Sequence, residues 1–208
     1  MTGTQRREQL VEVGRALFAR KGFDATSIEE IAAEAGVSKP VVYEHFGGKE
    51  GLYAVVVDRE MQELAGRITA SLTAAGSSRE LVERAALALL DYIESSSDGF
   101  RILVRDTSVA AASGTFAGLL NDVASQVEHL LAAAFAERSL DAEHAPIYSQ
   151  ALVGMVALTG QWWLEERSPG RDEVAAHLVN LAYHGLRGLE AAPTLRVRER
   201  ERERESRG

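Results

Sequence analysis

The chain has 208 residues, of which 46% are hydrophobic and 26% charged, and it carries a formal net charge of −8. This composition is typical of a globular protein rather than of a disordered or fibrous one. The absence of cysteine excludes disulfide bonds, zinc–thiolate sites and cysteine nucleophiles, and it suits a reducing cytoplasm. The N-terminus lacks the apolar core of a signal peptide, and no apolar run approaches the roughly 18 residues of a membrane span. We therefore expect a cytoplasmic protein without a membrane segment.

Apolar residues recur at intervals of three and four along most of the chain, which predicts an all-α fold of about nine helices. Residues 107–114 are small and polar and are predicted to form a loop, and the alternating Arg and Glu residues of 193–208 predict a charged, disordered tail. The predicted helices cover residues 4–21, two short segments within 26–49, and then 48–75, 79–94, 100–106, 115–137, 143–166 and 171–189.

The segment from Thr26 to Lys49 carries the most specific pattern in the chain. Thr26 is predicted to cap a short helix, with Glu29 returning the bond as a capping box, and Gly36 ends that helix where a positive φ is needed. Ser38 is predicted to cap a second short helix, and Pro40 lies in its first turn, where no N–H is missed. Two such helices joined by a glycine turn indicate a helix-turn-helix, although an ordinary αα-hairpin of a bundle has the same outline.

The second of these helices is predicted to expose a polar face. Val42 and Phe46 are four residues apart and are expected to point into the core, which leaves a set of outward side chains with Tyr43 on the flank. Lys39 has the chemistry to read guanine and Val41 to pack on a thymine methyl group. The outward set consists of Lys39, Val41, Glu44 and His45.

The same segment resembles the N-terminal signature of the TetR family of bacterial transcriptional regulators. The resemblance rests on Ala32, Ala35, Gly36, Val37, Ser38, Tyr43, Phe46 and Lys49, and on the preceding LFARKGFDATSIEEIA. It implies a three-helix DNA-binding head (residues 1–53), joined by a long helix to a helical body (residues 54–192) that binds a ligand and dimerises. It also implies an inverted-repeat operator, repression, with activation as the open alternative, and release of double-stranded DNA by a small apolar effector. The residues expected to contact DNA are Arg6, Arg7, Thr26, Ser38, Lys39, Pro40, Val41, Tyr43, His45 and Lys49.

The body carries the residues expected for effector binding and dimerisation. Its two last helices are more apolar than one core face requires, which predicts a four-helix seam between two copies. For each apolar side chain, burial in an ordinary core is the alternative to ligand contact. The residues expected to line the ligand site are Tyr92, Phe100, Val104, Phe116, Gln126, Tyr148, Met155 and Trp162. The residues expected at the dimer interface are Gly154, Leu158, Gln161, Leu178, Leu181, His184 and Gly185.

Other functions find less support in the sequence. Seven basic and eight acidic residues leave residues 1–53 with a net charge of −1, so specific DNA binding requires a few well-aimed cations. His177 and His184 are seven residues apart, which is too far for a simple metal pair, and a seam between helices is the expected place for them. No Walker A, G-x-G-x-x-G or G-x-S-x-G motif is present, so neither an enzyme nor a cofactor is expected. A helical interaction domain without DNA binding remains open, and a shift of mixed short duplexes at low salt would distinguish it.

Overall fold

The computed structural model describes residues 1–105, 115–195 and 197. These residues contain nine α-helices, one short 3₁₀ helix at Ala142–His144 and no strand, which confirms the all-α fold. The predicted loop 107–114 lies outside the described residues, as does the tail apart from 193–195 and 197. The α-helices are α1 (Gly3–Lys21), α2 (Ile28–Glu34), α3 (Lys39–Phe46), α4 (Lys49–Thr73), α5 (Ser78–Ser95), α6 (Ser97–Val104), α7 (Phe116–Glu137), α8 (Ala145–Glu166) and α9 (Arg171–Arg187).

Helices α1 to α3 and the start of α4 pack around one end of a hydrophobic core that continues into the body. Phe18 on α1 packs edge-on against Tyr53 of α4, with ring centroids 5.0 Å apart, and Phe23 completes this aromatic cluster. Leu10 and Val42 are fully buried in the same core. The two short helices α2 and α3 are therefore held by side chains from α1 and α4, since neither is long enough to be stable alone.

Helix α4 runs without interruption from the head into the body. It has 25 residues and is about 37 Å long. Its buried residues begin with Leu52 and Tyr53 in the head and continue through Leu64 to Leu72 in the body. The predicted division between residues 53 and 54 falls inside this helix, which therefore belongs to both head and body.

The body consists of two antiparallel helix pairs, α5 with α9 and α7 with α8. Arg171 at the start of α9 forms ion pairs with Asp91 and Glu94 at the end of α5, which fixes the antiparallel arrangement. A Cβ atom on Gly160 would lie 2.9 Å from Ile93, so this glycine allows α8 to approach α5 closely.

Helix α6 begins earlier than predicted and reaches back to the head. The predicted break at residues 95–99 is only a one-residue kink, because Ser97 already starts α6 and Gly99 lies within it. At its end, Arg105 donates a hydrogen bond of 2.8 Å to the carbonyl oxygen of Ala19 on α1. The body therefore contacts the head through α6 as well as through α4.

Candidate nucleic-acid interface and ligand cavity

The two short helices of the head are joined by the predicted glycine turn. Gly36 has a φ of +64°, and the N–H of Val37 donates to the carbonyl of Ala32 at 2.9 Å, which closes the turn. Gln9 of α1 donates to the carbonyl of Ala35, so the first helix holds this turn in place. Gly47 ends α3 with a φ of +72°. These contacts fix α3 at the outer edge of the head, where a recognition helix would lie.

The prediction that Thr26 caps α2 is wrong by one residue. Ser27 is the cap, and its side chain forms a capping box with Glu30. Thr26 is only 1% exposed, and its hydroxyl donates to the carbonyl of Gly22 at 2.7 Å. The Thr26 side chain is thus occupied in closing the α1–α2 turn, and we do not retain it among the DNA contacts.

The exposed face of α3 is formed by residues at its N-terminal end and by Tyr43 and Glu44, about one turn further along the helix. The Tyr43 side chain is 54% exposed, although its ring lies beside Gly48. Val41 and His45 are half-buried, with Val41 packed against the core, so they are less outward than predicted. The exposed residues of this face are Ser38, Lys39, Pro40, Tyr43 and Glu44.

Two of the predicted DNA-contacting lysines have partners within the head. The Lys39 ammonium pairs with the Glu29 carboxylate, and this hydrogen bond holds the pKa of Glu29 below its ordinary value. Because both side chains are exposed, the pair is weak and a phosphate or a base can replace the carboxylate. Lys49 donates to the carbonyl of Phe23 at 3.0 Å and lies over the Phe23 ring, so its charge remains at the surface while its position is fixed.

Arg6 and Arg7 lie within α1 rather than in an arm that precedes it. Helix α1 begins at Gly3 and is capped by a reciprocal pair of hydrogen bonds between Thr2 and Gln5. Arg6 donates to Gln9 at 2.7 Å, and the exposed Arg7 guanidinium lies 4.9 Å from the centre of the Phe46 ring. Arg7 is thereby held against the last residue of α3.

Helices α8 and α9 present an exposed apolar face, which we define as Ile147, Leu158 and Trp162 of α8 and Leu181 of α9. Leu158 is 66% and Leu181 64% exposed, which is unusual for large aliphatic side chains. At Gly154 and Gly185, a Cβ atom would meet nothing within 4 Å. Of the predicted interface residues, Leu158, Leu181, His184 and Gly185 are exposed, Gly154 and Gln161 are half-buried, and Leu178 is buried in the core of its own chain.

His177 and His184 are both exposed on α9, so within one chain they do not lie in a seam between helices. Within residues 1–105, 115–195 and 197, no group of three or more His, Asp or Glu side chains is arranged to hold a metal ion.

A cavity of about 900 Å³ lies between α4, α5, α7, α8 and the end of α9. Its wall is apolar along most of its length and includes Leu64 and Ile68 of α4 and Phe116 of α7. This volume is within the range of ligand-binding pockets. Polar side chains are confined to one end, which is built by the α4–α5 turn and the C-terminal ends of α7 and α9.

The predicted ligand residues divide into several groups. Phe116 and Met155 line the cavity. Tyr92 and Phe100 are fully buried behind its wall, and Val104 and Gln126 are half-buried without lining it. Tyr148 lines a smaller cavity of about 210 Å³ and packs against Phe135. Trp162 is 50% exposed and belongs to the exposed apolar face, whereas its neighbour Trp163 is 2% exposed and donates to the carbonyl of Pro169.

A buried polar cluster connects the cavity wall to the head. Glu60 of α4 is 3% exposed and accepts from Arg15 of α1 at 2.7 Å and from Tyr92 of α5 at 2.5 Å. Burial, and then the hydrogen bond to Glu60, raise the pKa of Tyr92 far above its ordinary value. For Arg15, burial lowers the pKa, but the hydrogen bond and the charge of Glu60 outweigh it and the net shift is upward.

The same cluster continues to the cavity through aromatic contacts. Tyr92 packs edge-on against Phe100 at 6.4 Å, and Phe100 packs edge-on against the cavity residue Phe116 at 5.6 Å. Five side chains in contact thus lead from the cavity wall to α1 of the head. Sequence analysis missed Arg15 and Glu60, because a single Arg and a single Glu far apart in the chain carry no local signal.

Family models match both parts of the chain. Residues 10–56 match a model described as bacterial regulatory proteins of the tetR family. Residues 67–195 match a tetracyclin repressor-like C-terminal domain, and this second match alone spans more than half of the chain. The chain belongs to the TetR family. As TetR-family members are DNA-binding transcriptional regulators, the helix-turn-helix is the DNA-binding element and the function is regulation of transcription.

Individual TetR-family proteins agree with this assignment. The HTH-type transcriptional activator FasR of Mycolicibacterium smegmatis is 30% identical over 188 residues, which cover 88% of this chain and 83% of that protein. An uncharacterized HTH-type transcriptional regulator of Mycobacterium tuberculosis is 27% identical over 189 residues, covering 90% of this chain and 80% of that protein. A TetR-like regulator from Rhodococcus sp. RHA1 has a similar structure, with a TM-score of 0.71, 26% identity, and coverage of 88% of this chain and 97% of that one.

No helix in the described part of the chain is long and apolar enough to cross a membrane.

Proposed function

We propose that this TetR-family protein is a ligand-responsive repressor, which binds an inverted-repeat operator as a homodimer and leaves it when a small apolar effector binds. One observation carries the proposal. A recognition helix with an exposed polar face is joined by a continuous helix, α4, to a body that contains a large apolar cavity. An effector that changes the position of the body end of α4 would alter the spacing of the two heads on DNA, and coupling of this kind typically amounts to about 1–3 kcal/mol.

The DNA-binding part of the proposal assigns different roles to two exposed side chains of α3. Lys39 lies at the start of the helix and is placed to reach a base edge once it leaves Glu29, whereas Tyr43 is placed to contact a phosphate. Phosphate contacts position the protein without reading sequence, and base contacts provide the specificity. Two heads on one face of the duplex would bind half-sites roughly 34–36 Å apart.

Selection of duplexes from a random pool tests this assignment. The wild-type protein should select an inverted repeat. Lys39→Ala should relax the preference at one base pair of each half-site, at a cost of about 1–3 kcal/mol, and Tyr43→Ala should weaken binding to all sequences alike and reduce the salt dependence. Arg101→Ala removes a cation from the body and is the control, which should leave both properties unchanged. An unaltered selected sequence for Lys39→Ala would rule out its base-reading role.

The exposed apolar face of α8 and α9 supports the homodimer. A two-fold dimer uses the same patch twice, and exposed aliphatic side chains such as Leu158 and Leu181 would be covered in it. In sedimentation experiments we expect a species of twice 22.5 kDa for the wild type and a shift to the monomer for Leu158→Glu. Leu195→Glu, at an exposed leucine outside this face, is the matched control. A wild-type protein that remained monomeric at micromolar concentration would contradict the proposal.

The cavity supports the apolar effector. A ligand that binds only the folded protein raises the unfolding temperature, so a thermal-shift screen identifies candidates without knowledge of their chemistry. Neither tryptophan lines the cavity, so a change in tryptophan fluorescence would not report contact with the ligand directly. A true effector must weaken operator binding, and saturating operator must weaken the effector by the same factor.

Activation is a second candidate, favoured by the name of the M. smegmatis relative, which is a transcriptional activator. A reporter placed behind the selected operator distinguishes the two, because deletion of the regulator should raise expression for a repressor and lower it for an activator. Since operator DNA lies in the bacterial cytoplasm, we also place the protein there.

A further inference from the structure

The polar end of the cavity is strongly cationic. Its lining includes Arg79 at the start of α5, Arg138 just after α7, and Arg187 at the end of α9. The guanidinium groups of Arg79 and Arg187 lie 5.2 and 5.5 Å from the centre of the same ring, that of Tyr183. We refer to these four residues as the cationic mouth. The contacts place two guanidinium groups beside one ring at the polar end of an apolar cavity.

Among the described residues, the three arginines of the mouth lack acidic partners, and they differ from the other arginines without such a partner in meeting at the lining of one cavity. In the described part of the chain, Arg79, Arg138 and Arg187 have no carboxylate within salt-bridge distance. By contrast, the arginines with such a partner are Arg15, Arg20, Arg59, Arg67, Arg101 and Arg171. In a chain with a net charge of −8, three unpaired arginines at one site indicate a site for an anion. The one acidic side chain in the cavity lining is Glu137, which forms no ion pair with them.

Backbone carbonyls at the mouth hold Arg138 in place. Arg138 donates to the carbonyls of Leu186 at 2.8 Å and Arg187 at 3.1 Å, so it neutralises the negative end of α9 and still has further N–H donors. The N-terminus of α5 lies nearby, where the Glu80 carboxylate already accepts from the N–H of Ser77. An anionic group at this position would therefore be bound by guanidinium donors rather than by the helix end.

The remainder of the cavity is apolar and elongated. Side chains from both ends of α7 line it, and this helix of 22 residues is about 33 Å long. An apolar site that follows a helix over this length suits an extended hydrocarbon chain.

We propose that the effector is a single-chain amphiphile, whose hydrocarbon chain fills the cavity and whose anionic head group binds Arg79, Arg138 and Arg187. This inference rests on the proposed function, since it names the chemical class of the proposed effector. The shared chemistry of the head is a carboxylate or a phosphate, both of which match the guanidinium fork. The cationic mouth selects the head group, and the apolar wall provides most of the affinity.

Calorimetric titration of the full-length protein with a matched series tests the inference. The probes are tetradecanoate, tetradecyl phosphate, tetradecanol and tetradecyltrimethylammonium, each below its critical micelle concentration. We expect at least one of the two anionic probes to bind roughly tenfold or more tightly than tetradecanol, as one or two charge-assisted hydrogen bonds would give. The cationic probe should bind most weakly. The tighter of the two anionic probes identifies the head group, and either order supports the inference.

Substitutions at the mouth distinguish the contribution of the ligand's head group to affinity from that of its hydrocarbon chain. Arg79→Gln and Arg187→Gln together should remove the advantage of the anionic probes and leave tetradecanol binding unchanged, while Arg101→Gln, outside the cavity, should change neither. Because Arg138 ties down the end of α9 and its loss could impair folding, the test relies on the other two, with circular dichroism to confirm the helix content. High salt should likewise reduce only the anionic advantage.

Three results would overturn the inference: equal affinity for tetradecanol and both anionic probes, an equal loss for all probes in the Gln variants, or no binding of any probe. Operator selection without a probe is independent of these titrations. A protein that selects an inverted repeat but fails the titrations would therefore retain its DNA-binding function and lose only the assigned ligand class.

Discussion

Replacement of Glu60 by leucine offers a direct test of how the head is attached to the body. The carboxylate is buried and accepts hydrogen bonds from Arg15 on α1 and Tyr92 on α5. In Glu60→Leu, both donors lose their acceptor while Arg15 keeps its charge. Removal of one partner from a buried ion pair costs about 3–5 kcal/mol, and the 22% exposure of the Arg15 side chain places the expected loss near the lower end.

The loss should be smaller when the donors are removed instead. Tyr92→Phe takes away one hydrogen bond to a charged group and should cost about 1.5–3 kcal/mol. The double variant Arg15→Met with Glu60→Leu replaces the ion pair by apolar side chains, and such exchanges are often close to neutral. We therefore expect the double variant to be more stable than Glu60→Leu alone. The loss of stability in the double variant would then be smaller than the sum of the losses in the two single variants, and this difference is the coupling energy between Arg15 and Glu60.

Urea unfolding at one fixed protein concentration measures these free energies, because a dimer's apparent stability depends on concentration. Each kcal/mol corresponds to roughly 2–4 °C for a chain of this size, so Glu60→Leu should melt about 6–12 °C lower. Operator affinity at a temperature where the variant is folded should also fall, since α1 has lost a contact with the body. If Glu60→Leu were as stable as the wild type, or if the double variant were merely the sum of the two single ones, the assigned role of this cluster would be refuted.

Three further predictions follow from local geometry. Gly99→Ala should destabilise the protein by about 1–3 kcal/mol, because the added Cβ would lie 1.7 Å from a Glu60 oxygen. Gly66→Ala is the control on the exposed side of α4, where the added Cβ would meet nothing within 4 Å. In the same urea titration it should stabilise the protein by about 0.5–1 kcal/mol. Because the pKa of Tyr92 is raised in the folded protein, its neutral phenol contributes to stability at pH values below 10.0, the ordinary pKa of tyrosine. This contribution is lost as the pH rises above 10.0. The free energy of unfolding, measured from pH 8 to about 11, should therefore decline in the wild type and not in Tyr92→Phe. Ser27→Ala should reduce stability by about 1 kcal/mol through loss of the α2 cap, as measured by thermal melting.

The head could be predicted from sequence because its signals are local. Gly36 and Gly47 adopt the positive φ values that their positions after helices indicated, and Val42 points inward as its spacing from Phe46 required. The cap of α2 was misplaced because the sequence offers two equivalent registers, Thr26 with Glu29 and Ser27 with Glu30. Burial of Thr26 decides between them, and burial depends on how α1 and α2 pack.

The adjacent tryptophans show a second limit of sequence analysis. Helix α8 is apolar on nearly all sides around them, so its sequence contains no polar face that would fix its orientation. One residue step rotates a helix by about 100°, and this rotation places Trp163 in the core and Trp162 on the surface. Trp162 was therefore assigned to the ligand site although it belongs to the surface that we propose for dimerisation.

The cationic mouth and the Glu60 cluster could not be found from sequence because each depends on long-range packing. Arg15 and Glu60 are 45 positions apart, and Arg79 approaches Tyr183 only because α5 and α9 are antiparallel. In a sequence, a lone arginine on a helix is most simply interpreted as a solvated charge, and nothing local distinguishes Arg79, Arg138 or Arg187 from other exposed arginines. The informative property is the absence of an acidic partner where three arginines meet an apolar cavity, and that property exists only in the folded chain. In the mechanism that we propose, the mouth would select the effector, and the contacts from Phe116 to Glu60 would carry its effect to α1.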